Sequence, residues 1–224
     1  MVLMRRWIYL FLVLLLAACT SVKQRSCNEI SAAALRSVLL KETTIEQLLA
    51  WIAQEYHVLP QNVRSDVDQR RAFQILVWDA NDVSYTIHMR GSVPTGAIIW
   101  YNSRPPSASQ VIDCLGAPEQ YGASYKRDVE ATKFELELLF PKSNIRASGW
   151  KFFYGQFRYT RLQPPAIDGT FPIYRLSVGE LISAEEMLGQ APHPDQAESE
   201  SRQFKPWPGK WEDIVVEIAP NIHW

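Results

Sequence analysis

Few residues in this chain stand at spacings that do chemistry, and each of those has a plainer use. The three cysteines, Cys19, Cys27 and Cys114, fit no zinc motif. The four histidines, His57, His88, His193 and His223, are scattered, and none has the i, i+4 partner of a zinc-binding helix. Asp66-Val67-Asp68 opens like a calcium loop but lacks the rest of one. Ser148-Gly149-Trp150-Lys151 matches S-x-x-K, yet it stands at the start of a strand pattern, and no S-D-N or K-T-G accompanies it. G-x-S-x-G is absent from the chain. Glu135 and Glu137 alternate onto one face of a strand. A glycosidase uses two carboxylates, but two acids on the wet face of a sheet are commoner. No catalytic residue, metal ligand or cofactor site is expected.

Aromatic side chains are the better functional signal. Trp150, Phe152, Tyr154, Phe157 and Tyr159 crowd one stretch, and Trp207 and Trp211 crowd another. Alternation puts Trp150, Phe152 and Tyr154 on one face of a strand and Lys151 and Phe153 on the other. Most of these rings should be core. Aromatics left exposed on such a face suit a protein interface or a sugar. The candidate binding surface is Trp207, Trp211, Trp150 and Tyr154. The prolines and glycine around Trp207 and Trp211 should keep that pair out of a regular element.

The elements that position these residues follow from period. Residues 30–40 can form a short helix. Thr43 stands three before Glu46 and Thr44 three before Gln47, so either can cap the next helix. Ile45, Leu48, Leu49, Ile52 and Tyr56 give that helix one apolar face, and Pro60 ends its continuation. Strand patterns follow at 73–78, 83–89 and 97–101, separated by turns at 79–82 and 91–96. Then the pattern restarts. Residues 107–115 lie over 44–52 at an offset of 63, each with a hydroxyl cap, a glutamine three later and an apolar pair. Strand patterns at 134–140, 150–162 and 171–178 come next, then a helical pattern over 179–189 and a polar, proline-bearing linker over 190–203. The last strand is expected at 213–219. The fold class is α+β, with two α-β-β-β units packed into an antiparallel sheet and helices on one side.

At the N-terminus, Arg5 and Arg6 precede an apolar run from Trp7 to Leu16, closed by Leu16-Ala17-Ala18-Cys19. The run is too short for a bilayer core, which needs ~20 apolar residues, and its flanks are those of a secretory signal. The LAAC ending resembles the lipobox of bacterial lipoproteins. That resemblance implies cleavage after Ala18, a lipid on the Cys19 sulfur, and an extracytoplasmic, membrane-anchored protein. Residues 1–18 are then signal peptide, and 19–42 are the tether and short helix. With Cys19 lipidated, Cys27 and Cys114 are the remaining pair. Either they form a disulfide in an oxidising compartment, or Cys114 is a small buried apolar residue, and spacing does not choose. Removing Arg5 and Arg6 from the 23 basic residues leaves 21 against 24 acidic ones, a balance of −3. That balance, with no basic stripe, disfavours nucleic acid as a partner.

The capped helix at 107–112 and its Leu115-Gly116-Ala117-Pro118 exit, followed by strands, resemble the unit of small SmpA/OmlA (BamE-like) lipoproteins. Two such units in tandem, here 43–106 and 107–189, resemble the β-lactamase inhibitor protein fold; 204–224 would add a Trp-rich C-terminal strand. His57-Val58-Leu59-Pro60 departs from the family exit in the first unit. The resemblance implies a non-enzymatic lipoprotein that binds a protein partner of the cell envelope. A cell-envelope hydrolase acting on glycans is the alternative, and an enclosed apolar pocket would instead mark a small-ligand sensor.

Overall fold

The computed structural model describes residues 27, 30, 32–68, 73–127, 131–154, 167–179 and 204–218. The signal and lipobox with Cys19, the helix expected after Gly179, the linker 190–203, Phe157, Tyr159, His193 and His223 lie outside the described residues. The described part is α+β. Three helices, α1 (Ala33–Val38), α2 (Ile45–Tyr56) and α3 (Ala108–Leu115), accompany ten strands. In chain order these are β1 (Arg64–Asp68), β2 (Phe73–Ala80), β3 (Val83–Arg90), β4 (Val93–Tyr101), β5 (Gln120–Arg127), β6 (Ala131–Phe140), β7 (Ile145–Tyr154), β8 (Arg175–Gly179), β9 (Phe204–Pro206) and β10 (Glu217–Ile218).

Both repeated helices begin with the same device. Thr44 Oγ1 accepts the Gln47 amide at 3.2 Å, and the Gln47 side chain accepts the Thr44 amide at 2.9 Å. Ser107 and Gln110 repeat that box at 3.2 and 2.8 Å. Such a cap contributes about 1 kcal/mol and fixes where a helix starts. Burial fixes how it lies: Leu48 and Ile52 of α2 and Val111 of α3 are fully buried, and each large apolar side chain contributes about 1.5–3 kcal/mol. His57 closes α2 in the left-handed region at φ 56, and Gly116 closes α3 at φ 86.

The strands pair in the order β1-β2-β3-β4-β8-β7-β6-β5-β10, with β9 also on β5. Each unit is therefore a helix followed by a four-strand meander, not three strands as expected. The strand missed in the first unit is β1, Arg-Ser-Asp-Val-Asp, which has no apolar alternation. The one missed in the second is β5, where Gly122 and Lys126-Arg127 hide the pattern. The residue stretch 91–96 is turn only at Gly91-Ser92; Pro94 enters β4 beside a bulge at His88/Met89, where a proline is tolerated. Asn81 and Asp82, at φ 50 and 65, make the two-residue β2–β3 hairpin, whose preferred turn type needs both residues left-handed.

Five residue pairs, from Gly96↔Gly179 to Trp100↔Arg175, join β4 to β8 and so join the two units. Because equivalent last strands meet antiparallel, the units relate by a local two-fold axis normal to the sheet. A single row then crosses seven strands: Trp78, Tyr85, Ile99, Leu176, Ala147, Leu138 and Tyr121. All but Tyr85 are buried, and this row is the floor of the core beneath the helices. Leu35 of α1 and the adjacent Leu39 are buried in the same core. Cys27 is joined to Cys114 of α3 by a disulfide, which fastens the segment before α1 across the helical layer.

The segment 167–173 is an irregular strap on the helix side, not the strand expected from residue 171, and Tyr174 enters the sheet between β4 and β7. The strap carbonyls of Phe171 and Gly169 accept the first two amides of α3, Ala108 and Ser109, at 2.8 and 2.9 Å. Gly149 lets the strap pass, since a Cβ there would stand 2.0 Å from the Pro172 carbonyl oxygen. The C-terminal stretch is likewise irregular. It forms β9, a 3₁₀ turn at Trp211–Asp213, and β10 parallel to β5, instead of one strand over 213–219.

Tyr56 ends α2 with its ring 5.3 Å from Trp78 and 4.6 Å from Tyr85. Burial, then the neighbouring Tyr85 and Glu55, pushes its phenol well above the ordinary tyrosine range. The folded protein therefore keeps Tyr56 neutral at pH values where the unfolded chain, with an ordinary pKa of about 10, loses that proton. Stability from this group is complete below about pH 10 and falls as pH rises above it. Urea unfolding between pH 8 and 11 should show that fall, and Tyr56→Phe should flatten it; an unchanged slope would contradict the buried phenol.

Candidate functional site

The face of the sheet turned away from the helices carries the aromatic and charged residues. Its central row is Asp79, Ser84, Trp100, Arg175, Ser148, Glu137 and Gly122, taken across β2, β3, β4, β8, β7, β6 and β5. Alternation along each strand puts Phe152, Trp150 and Arg146 of β7, and Lys133 and Glu135 of β6, on the same face.

Trp100 is 39% exposed, and its ring centroid lies 5.4 Å from that of Trp150. Trp150 in turn stacks on Tyr174 at 4.8 Å with 26° between planes. The Lys133 ammonium lies 5.6 Å from the Trp150 centroid and is ion-paired to Glu135. Phe152, 47% exposed, extends the strip toward the end of β7. Beside the strip, Arg146 holds Glu137 through Nε at 3.0 Å and through its terminal nitrogen, and Ser148 Oγ donates to the same carboxylate at 3.3 Å. The Arg146 guanidinium stands 5.7 Å from the Phe204 ring of β9. Two charge arrangements thus border one aromatic strip, the Arg146–Glu137 pair recessed and the Lys133–Glu135 pair half-exposed.

Several expected site residues are elsewhere. Trp207 and Trp211 are half-buried and packed edge to face at 5.0 Å, with Tyr121 6.1 Å from Trp207. Tyr121 belongs to the core row, so this pair packs on the helix side of the β5 edge, partly exposed and apart from the open-face strip. The prolines and glycine kept these rings out of a strand but not out of the packing. Tyr154 pairs through its backbone with Ala131 at the end of β7. Trp150 alone of the four candidates joins the open-face strip within the described side chains. Trp100 and Tyr174 were missed, because β8 separates β4 from β7 and only the sheet order brings their rings together.

The chemical candidates meet ordinary partners. Ser148 is buried against Glu137, while Lys151, three residues on and on the opposite face, lies 5.0 Å over the Phe171 ring; they form no serine–lysine pair. Glu135 and Glu137 do share a face, each held by a cation. Asp66 Oδ1 accepts the Val67 amide at 2.7 Å on the edge strand β1. His57 caps α2, and His88 pairs with Ile75 and Gly96 inside the sheet. Among the described residues, no group of three His, Cys, Asp or Glu is placed to hold a metal ion, and no helix is long and apolar enough to cross a membrane.

The two ion pairs should differ in weight. Glu137→Gln removes the carboxylate from a recessed arginine and should cost about 1–3 kcal/mol in urea unfolding. Glu135→Gln, on the half-exposed pair, should cost under about 1 kcal/mol. Equal losses would contradict the difference in burial. Comparison of this chain with protein-family models, curated proteins and solved structures gives no match.

Proposed function

We propose that this chain is a membrane-anchored extracytoplasmic lipoprotein, held by lipid on Cys19, that acts as a non-enzymatic binding or accessory protein of the cell envelope. Its protein partner docks on the open sheet face. The observation that carries this reading is the continuous strip of Trp100, Trp150 and Phe152 on that face, with two of its rings more than a third exposed. Exposed tryptophan and phenylalanine bordered by one recessed and one half-exposed charge pair are the composition of an interface centre with a polar rim. The Cys27–Cys114 disulfide supports an oxidising compartment. The near-neutral charge favours a protein over nucleic acid.

The glycan-hydrolase alternative finds less support. Its two carboxylates would face each other across a bound sugar, whereas Glu135 and Glu137 stand side by side on one strand and each is bound to a cation.

A photo-crosslinking amino acid placed at Trp100 in living cells tests the proposal. The expected result is one defined protein adduct, absent when the same group replaces Leu59, which is 56% exposed and outside the sheet. Trp100→Ala should weaken that partner's binding about tenfold, ~1.4 kcal/mol, without changing thermal unfolding. In the Cys19→Ala background the precursor should stay unprocessed and unlabelled by radioactive fatty acid, and the adduct should fall. Identical adducts from both positions would overturn the face, and normal labelling of Cys19→Ala would overturn the anchor.

A further inference from the structure

One end of the sheet carries exposed apolar side chains close to the route of the anchor. At that end lie the β3–β4 turn at Gly91-Ser92 and the β6–β7 turn at 141–144, whose Asn144 carbonyl accepts the Gly179 amide at 3.2 Å. The segment joining α1 to α2 is tied to the same end. The Leu40 amide donates to the Pro94 carbonyl at 2.8 Å, and the Thr43 amide to the Ser92 carbonyl at 2.9 Å. Leu40 is thereby held in the left-handed region at φ 62, an uncommon place for leucine, with 58% of it exposed. Ile45, which opens α2, is 36% exposed.

The helix α3 runs toward this end too. Beyond its exit the Glu119 amide donates to the Leu139 carbonyl at 2.9 Å, one residue from the end of β6. Cys114, in the last turn of α3, carries the disulfide to Cys27. Cys19 stands eight residues before Cys27 in the sequence (27 − 19), a length that spans at most about 29 Å when extended. Lipid on Cys19 therefore keeps the disulfide within that reach of a bilayer. The surface turned to the bilayer then follows from what each side exposes. The outward side of α2 offers Gln47, Gln54 and Glu55, and the opposite end of the sheet offers Asn81, Asn102 and Arg104, all exposed and polar. Leu40 and Ile45 are apolar groups of the kind that lodge at the headgroup boundary. The exposed charges next to them balance, Lys41 and Arg90 against Glu42 and Glu46, so the contact is apolar and needs no anionic lipid.

We propose that this end of the sheet rests on the bilayer, with Leu40 and Ile45 inserted among the lipids. The contact presupposes the lipid on Cys19 proposed above. It stands the strands upright and places Trp100, seven residues along β4 from Val93 (100 − 93), about 23 Å farther from the lipid. The aromatic strip is thus held clear of the membrane for its partner.

The full-length lipidated protein in phosphatidylcholine vesicles tests this contact, with a genetically encoded environment-sensitive fluorophore replacing Leu40, Ile45, Gln54 or Asn102. Bromine near the headgroup end of the acyl chains should quench the fluorophore at 40 and 45 and spare it at 54 and 102, and high salt should not change this. Position 45 reads the same contact if the variant at 40 does not fold. Leu40→Asn, which suits the left-handed backbone, should remove most of the quenching at 45. Protein that floats with the vesicles but is unquenched at 40 and 45, or is quenched as strongly at 54 or 102, would overturn the contact and leave the anchor standing. Protein that does not float and shows no lipid on Cys19 by mass analysis would overturn the anchor, and this contact with it.

Discussion

The antiparallel pairing of β4 with β8 is the constraint on which the rest of this structure depends. Each unit alone is a helix over a four-strand meander, with its last strand ending as an open edge. Pairing those two edges with each other removes both and lets one core row run from Trp78 to Tyr121. The outer edges are treated differently. β1 is short, exposed and charged, with the Val67 amide satisfied by Asp66, which blunts it against further pairing. β5 is closed by β9 and β10. Among the described strands, a sheet this wide therefore stays finite without forming a barrel.

The same seam organises the two faces. On the helix side it brings α1, α2 and α3 over a common floor, and the Cys27–Cys114 bond and the 167–173 strap tie that layer together. On the other side it sets Trp100 of β4 within reach of Trp150 of β7, with Arg175 of β8 between their strands. Among the described residues, aromatic surface without a covering helix is thus a product of sheet order.

Local signals in the sequence were legible where local physics decides. The Thr44/Gln47 and Ser107/Gln110 boxes, the Leu48–Ile52 face of α2, though not the exposed Ile45 at its start, and the Glu135/Glu137 alternation appear in the structure as the residue pattern implies. What could not be read is what depends on distant partners. β1 and β5 carry polar or glycine-bearing sequences that become strands because a neighbour offers a ladder. Pro94 reads as a loop residue until the bulge in β3 accommodates it. Trp207 and Trp211 read as lying outside a regular element, but the proline-rich sequence around them says nothing of their packing on Tyr121, some ninety residues earlier in the chain. Trp100 and Tyr174 reach Trp150 through topology alone.

Amide hydrogen exchange across the seam tests this account most directly. If the two units form one sheet through β4 and β8, the amides of Ala97, Ile99, Leu176 and Val178 should exchange with the slowest, globally protected class, together with those of β3 and β7. Rapid exchange across 93–101 and 175–179 while 83–90 and 145–154 remain protected would mean that the units fold separately, and the open aromatic face would not exist as described.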